Sequence, residues 1–295
     1  MKYRILGRTG LEVSRIALGG FPFSAVNKAR GWDPYSQEGR TTAIRTIHTG
    51  LDLGINYIDT APWYGNGHSE SIFGEALKNK RNHCFVASKI DWSKSKKEMI
   101  KSVEDSLKRL NTDYLDLLQF MSSGFVKAEY DFIMSNDSIG TLEELKKQGK
   151  IRWIGIAAEE AYATLDLIET NRFDVAQVCY NIICQSAANH LLNKTFEKNM
   201  GVCIMRPMTS GAFQKMMESL EPAISDTIDL NELCLKFIFS DSRVMANIGM
   251  RFPEEVMKNV ELLNRYEPSM DLAQTPRMIG TLYKEEDKNI PVLLK

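Results

Sequence analysis

Three side chains with acid–base chemistry stand where two strand-like runs end. Asp59 closes Tyr57-Ile58-Asp59, Tyr64 follows in Thr60-Ala61-Pro62-Trp63-Tyr64-Gly65, and Lys89 closes Phe85-Val86-Ala87-Ser88-Lys89. Together they suit proton donation to a carbonyl under reduction. Hydride addition leaves an alkoxide that must be protonated, and a phenol with an ordinary pKa of about 10 exchanges protons poorly near neutrality. A neighbouring ammonium stabilises the phenolate and lowers that pKa, and a carboxylate beside the ammonium holds it in position. A neutral imidazole would add a hydrogen bond that orients the carbonyl oxygen. At the end of the next run, Leu115–Phe120, stands Met121 instead. Methionine has no donor and only a weakly accepting sulfur. Lack of one preorganised donor of this kind costs about 2–4 kcal/mol of transition-state stabilisation.

The elements that must position these groups alternate along the chain. Strand-like runs are read at Arg15–Leu18, Tyr57–Asp59, Phe85–Lys89, Leu115–Phe120, Arg152–Ile156, Val175–Cys179, Val202–Met205 and Val244–Ile248. Helical patterns are read at Thr41–Leu53, Ser69–Leu77, Lys96–Leu110, Ile139–Gln148, Ala161–Glu169 and Pro253–Leu263. In Lys96–Leu110, the apolar Met99, Val103, Leu107 and Leu110 mark one buried face. Ser69 reads as an N-cap with Glu70 as a first-turn acid. Strands alternating with helices imply parallel strands joined by crossovers, and eight such units fit a (β/α)8 barrel, the TIM-barrel form of the α/β class. Active sites of that fold lie at the C-terminal ends of the strands, where Asp59, Tyr64, Lys89 and Met121 are expected to converge. The opening, Tyr3–Ser14, reads as a β-hairpin that plugs one end, and the residues after about Pro268 as a tail over the barrel. With no linker or low-complexity segment, residues 1–295 read as a single domain.

Composition is that of an ordinary globular chain, with 43% apolar and 25% charged residues among 295. A net charge of −1 argues against a nucleic-acid surface. No run reaches membrane-spanning length and no secretory signal is visible, so neither membrane nor export is expected. The five cysteines are scattered without a CxxC pair, which predicts no metal and fits a reducing cytoplasm.

Order and spacing of several motifs resemble the aldo-keto reductase family across nearly the whole chain. They are Leu6–Ser14, Gly54–Ala61 with Tyr64-Gly65, Arg109–Asp116, and Gly149–Ile156. The resemblance implies a (β/α)8 barrel, NADP(H) as cofactor, and Asp59, Tyr64 and Lys89 as catalytic residues with Tyr64 the proton donor. It also shows departures. The catalytic His position is Met121, and the Ser-Asn pair that holds the nicotinamide carboxamide is Ala157-Ala158. The segment of the ring that stacks on nicotinamide is Met205-Arg206-Pro207. Gln177 matches the family's carboxamide-binding Gln, though a buried structural amide is an equal reading. Gly249, Arg251 and Asn259 resemble the adenosine 2′-phosphate and adenine segment, with Arg206 a further candidate; both arginines also read as solvated surface charges. Trp32, Trp63, Trp92 and Met121 are candidate walls of a substrate pocket, while Trp32 in its aromatic loop reads equally as helix packing.

Three functions follow. The first is an NADPH-dependent reductase of an aldehyde or ketone, with a small carbonyl or sugar-like substrate. The second is an acid/base enzyme without net hydride transfer (a dehydratase, lyase or epimerase), since Ala157, Ala158, Met205 and Met121 put the losses around the nicotinamide. The third is a non-catalytic binding protein, against which the intact Asp–Tyr–Lys set argues.

Overall fold

A computed structural model describes residues 1–24, 31–160, 164–189 and 191–273. A hairpin of β1 (Tyr3–Ile5) and β2 (Glu12–Ser14) precedes eight parallel strands that close into a barrel. These are β3 (Ile16–Gly19), β4 (Tyr57–Asp59), β5 (Phe85–Ile90), β6 (Leu115–Ser122), β7 (Ile151–Ala158), β8 (Val175–Cys179), β9 (Gly201–Met205) and β10 (Met245–Gly249). The last strand pairs with β3 and completes the ring. Helices fill the crossovers: α1 (Gln37–Asp52), α2 (His68–Ala76), α3 (Lys96–Leu110), α4 (Lys127–Ser135) and α5 (Ser138–Lys147) in the first half. The second half carries α6 (Leu165–Glu169), α7 (Ser186–Asn189), α8 (Leu191–Glu197), α9 (Ala212–Leu220), α10 (Ile224–Thr227), α11 (Leu230–Phe239) and α12 (Pro253–Arg265).

Local chemistry explains the helix best read from sequence. In α3, Ser95 accepts from the Glu98 N–H while Glu98 reaches back to Ser95, and Asn111 ends the helix at φ +51°. Its Met99, Val103, Leu107 and Leu110 are buried as the spacing predicts. Other bounds shift. Helix α1 starts at Gln37 because Ser36 caps it through the Gly39 N–H, so the first four residues were hidden by their polarity. The reading of Ser69 as an N-cap is corrected: α2 starts at His68 after Gly67, and Ser69 lies buried inside it, donating to the Gly20 carbonyl at 3.0 Å. Strands β6 and β7 run two residues longer at their C-terminal ends, pairing Met121 with Ala157 and Ser122 with Ala158. Met121 therefore belongs to its strand and does not follow it. Residues 161–163 of the Ala161–Glu169 reading and the expected tail beyond Ala273 lie outside the described residues.

Alternation along the strands stacks the barrel interior in layers. At the base, Ala17, Tyr57, Phe85, Leu117, Val175, Cys203 and Met245 form one apolar cluster with Leu6 and Val13 of the hairpin. The hairpin thus plugs the N-terminal end, as its sequence suggests. Gly7 (φ +50°) makes this close approach, since a Cβ there would sit 2.2 Å from the Gly201 nitrogen. Further along, the interior turns polar, with Asp59, Gln119, Gln177 and Asn247 two residues beyond the base layer on their strands and Lys89 two beyond Ala87. Above them Met121, Ala157, Cys179 and Met205 form a second apolar layer at the C-terminal mouth. Among the described residues no helix is long and apolar enough to cross a membrane.

Candidate active site

The polar layer is built around one carboxylate. Lys89 Nζ donates to Asp59 Oδ1 at 2.9 Å, to Asp59 Oδ2 at 2.8 Å and to the Thr60 carbonyl at 2.8 Å. An ammonium has three protons, and besides Asp59 and Thr60 it has a side-chain hydrogen bond with Tyr64. Both side chains are almost completely buried, so the charges depend on each other. Three amides complete the shell: Gln119 Nε2 donates to Oδ1 at 3.3 Å, while Gln177 Nε2 and Asn247 Nδ2 donate to Oδ2 at 3.4 and 2.8 Å. The carboxylate of Asp59 pulls the Lys89 pKa above its ordinary value despite burial, which pulls the other way.

Tyr64 sits over this pair on the turn after β4. Its ring centroid is 4.9 Å from Lys89 Nζ, and Phe21 and Trp63 meet the ring edge-on at 5.3 and 6.5 Å between centroids. The turn is held by the Tyr64 N–H on the Ala61 carbonyl and by the Ser69 N–H on the Tyr64 carbonyl. Tyr35 OH donates to the Gly65 carbonyl at 3.1 Å and stacks on His68. The Lys89 charge lowers the Tyr64 pKa, but burial outweighs it and the phenol lies above its ordinary value. The expected lowering is thus present as a contribution and lost in the balance, because a half-enclosed phenolate loses water that the ammonium only partly replaces.

The structure therefore brings Asp59, Tyr64 and Lys89 together, with Met121 above them in the mouth lining. Other candidates fall elsewhere. Trp32 is buried, its ring packed edge-on against Phe23 and Phe252; the expectation that it walls a pocket gives way to aromatic packing. Trp92 packs against Phe132 and Trp63 is 45% exposed beside Tyr64, which makes Trp63 the tryptophan next to the phenol. Gln177 donates to Asp59 and accepts from Gln119 Nε2 at 3.2 Å, the structural role left open by its sequence context. Contact with a nicotinamide carboxamide requires those bonds to be exchanged. Gln119 and Asn247 were missed. Each stands two residues before a mouth position on the same strand face (Met121 and Gly249), so a polar residue at period two in an apolar strand was the available signal. Glu70 is the first-turn acid of α2, as read from sequence, and it is also fully buried. It accepts from Ser88 Oγ at 2.8 Å and from Arg109 Nε at 2.7 Å, fixing α2 to β5 beside Lys89.

A nucleotide cofactor can be tested against these residues. Near the mouth Gly249 ends β10, and Arg251 precedes the 13-residue α12, on which Asn259 is buried. A guanidinium beside a helix N-terminus suits a phosphate. Glu255 already accepts from the Arg251 and Phe252 N–H groups at 2.5 and 3.4 Å and lies 3.6 Å from the guanidinium, so a phosphate competes with it. Arg206 pairs with Glu159 across the mouth. The layer of Met121, Ala157, Cys179 and Met205 offers a flat ring an apolar seat, while Ala157 and Ala158 offer a carboxamide no side-chain donor. The residues present fit a phosphorylated dinucleotide at both ends, with the ring held by shape more than by hydrogen bonds. Among the described residues no three His, Cys, Asp or Glu side chains converge as a metal site.

Comparison with known proteins places this geometry. The model of the Aldo/keto reductase family matches residues 16–275. The chain is 37% identical to aldo-keto reductase YhdN of Bacillus subtilis over 53% of its own length and 47% of that protein's. It is 32% identical to L-galactose dehydrogenase of Arabidopsis thaliana over 72% of its length and 66% of that protein's. The matches thus span about half to two thirds of these relatives. An aldo/keto reductase from Klebsiella pneumoniae, solved in complex with NADP and acetate, shares the fold at a TM-score of 0.75 and 23% identity, over 93% of this chain and 94% of that one.

Proposed function

Because the chain belongs to the aldo/keto reductase family, we propose that it is an oxidoreductase that reduces an aldehyde or ketone with NADPH, Tyr64 giving the proton. The observation that carries this reading is the Lys89 ammonium, fixed by Asp59 and lying 4.9 Å from the Tyr64 ring. The nucleotide, when bound, supplies the hydride. Tyr64 donates its proton to the oxygen that becomes the alkoxide. Lys89 stabilises the phenolate left behind, through its charge and through its side-chain hydrogen bond to Tyr64. Asp59 and its amide shell keep that ammonium from turning away. Lined by Met121, Ala157, Cys179 and Met205, the mouth favours a small carbonyl compound with an apolar flank. We also propose that the chain works as a single domain.

The test is NADPH oxidation with a panel of small aldehydes and ketones, together with nucleotide titration by tryptophan fluorescence. No binding and no turnover across the panel would remove the proposal. Met121→His restores a donor beside the carbonyl oxygen. It is expected to raise kcat/KM by at least about tenfold, within the 10²–10³ that one preorganised donor can supply; an unchanged rate would show that the mouth does not place the carbonyl near residue 121. Arg251→Ala is expected to weaken NADPH binding about tenfold or more, the loss of one charge-assisted contact, with a smaller effect on NADH. Equal losses for the two nucleotides would take Arg251 away from the 2′-phosphate.

A second reading rests on one observation: Gln177 is engaged with Asp59 and Gln119, and Ala157 and Ala158 bring no donors, whereas the proton-transfer set is whole. An acid/base enzyme acting next to a carbonyl needs only that set. Substrate turnover without added nucleotide, abolished in Tyr64→Phe, would select it over reduction.

A further inference from the structure

Two of the five cysteines are brought together at the barrel mouth. Strand β8 ends on Cys179, which is buried in the layer formed with Ala157 and Met205. The chain then folds back on itself. Asn181 Oδ1 accepts the N–H groups of Ile183 at 3.2 Å and Cys184 at 2.9 Å, and the Asn181 N–H donates to the Cys184 carbonyl at 2.9 Å. This clasp returns Cys184 onto the same apolar cluster, where it lies beside Cys179. Asn181 Nδ2 also bonds the Arg206 carbonyl at 3.1 Å and lies 3.7 Å from Cys179 Sγ, which ties the turn to the neighbouring strand. Cys179 is nearly sealed from solvent while Cys184 is half-exposed. Burial first, and the adjacent Cys184 sulfur second, push the Cys179 thiol up to about 12. The other three are spread apart: Cys203 in the base layer, Cys84 before β5 and Cys234 on α11.

We propose that Cys179 and Cys184 form a redox-active dithiol that closes to a disulfide on reaction with a hydroperoxide. The accessible Cys184 reacts first, because thiolate character and access decide oxidation and Cys179 waits as a neutral thiol. The Cys184 thiolate attacks one peroxide oxygen and the O–O bond breaks. The leaving alkoxide takes a proton and departs as an alcohol, and Cys184 becomes a sulfenic acid. The Cys179 sulfur then attacks the Cys184 sulfur and gives up its proton, and the sulfenic oxygen leaves as water. Two thiols are oxidised, and one hydroperoxide is reduced to an alcohol and a water. A dithiol reductant reverses the bond by exchange. The inference rests on the loop and its two sulfurs and does not depend on the reductase reading.

The full chain is treated with hydrogen peroxide in slight excess, alkylated, and measured by intact mass and non-reducing peptide mapping. The expected result is loss of two hydrogens, one cross-linked peptide joining Cys179 to Cys184, and full reversal by dithiothreitol. Cys179→Ser is expected to stop at a Cys184 sulfenic acid trapped by dimedone, and Cys184→Ser to leave Cys179 reduced at the same dose. Circular dichroism of both variants confirms that they fold, and a Cys184→Ala variant serves if the serine does not. Cys184 alkylated after peroxide treatment, or bonded to any other cysteine, would overturn the proposal.

Discussion

Replacing Asp59 with Ala is expected to lower the free energy of unfolding by about 3–5 kcal/mol, the range found when one partner of a buried ion pair is removed. The side chains of Lys89 and Asp59 are 1% and 2% exposed, so an ammonium left alone there has no water to turn to. The loss does not end with the charge. Gln119, Gln177 and Asn247 all donate to the same carboxylate, and truncation leaves three buried N–H groups without their acceptor. Urea unfolding monitored by tryptophan fluorescence measures the effect. A double replacement, Asp59→Leu with Lys89→Met, is expected to lose less than Asp59→Ala alone, because it removes both charges together. A single-variant loss under about 1 kcal/mol would mean that the pair is solvated in the native state.

Lys89 also contributes to loss of stability at alkaline pH. Lys89 has its folded pKa raised by Asp59, so the folded chain binds this proton more tightly than the unfolded one. Its stabilisation is complete below the unfolded value of 10.5 and is lost as pH rises through the higher folded value. Tyr64, raised by burial, works in the same direction from its own reference of 10.0. Unfolding free energy from these two groups is therefore flat through neutrality and falls above about pH 10.

Why the sequence disclosed the barrel so readily is a matter of periodicity. Strands of the barrel are buried on both faces and read as apolar runs, and α3 carries its caps and buried face in the local sequence. The Asp–Tyr–Lys set was readable for a related reason: each residue stands at or just past the end of a strand, so topology alone brings the three together. What stayed hidden depends on contacts across the barrel. Gln177 was open to a structural reading, but that Gln119 and Asn247 join it on one carboxylate from three different strands was signalled only by a polar residue at period two in each apolar strand. Ser69 looks like an N-cap because Ser favours that position, yet it lies inside α2 against Gly20, and Glu70, a first-turn acid as read, is buried against Ser88 and Arg109. Trp32 reads as a pocket wall or as aromatic packing because its loop is aromatic; its ring meets Phe23, close in sequence, and Phe252, far away in it. The sulfur-lined mouth was half legible. Met121 and Met205 were singled out as departures, but that Cys179 and Cys184 join them follows from a turn closed by Asn181.

Tyr64→Phe is expected to cut kcat for carbonyl reduction by about 10²–10⁴, the usual worth of a positioned general acid, with little change in NADPH affinity. The substitution removes one oxygen and keeps the ring that Phe21, Trp63 and Lys89 pack against, so stability should hold near the unsubstituted value. Steady-state kinetics beside nucleotide titration separates these outcomes. The pH dependence gives a second, independent check. Burial holds the Tyr64 pKa above 10.0, so the protonated donor is present throughout the neutral range and the reduction rate should stay level until pH passes about 10. Lys89→Met removes the charge that pulls this pKa down, and so should lower kcat by weakening the phenolate while moving the alkaline limb higher still. If Tyr64→Phe retained most of the activity, the proton would have to come from elsewhere. Cys179 and Cys184 are further ionisable groups in the mouth, so solvent and the thiols would then have to be tested in turn.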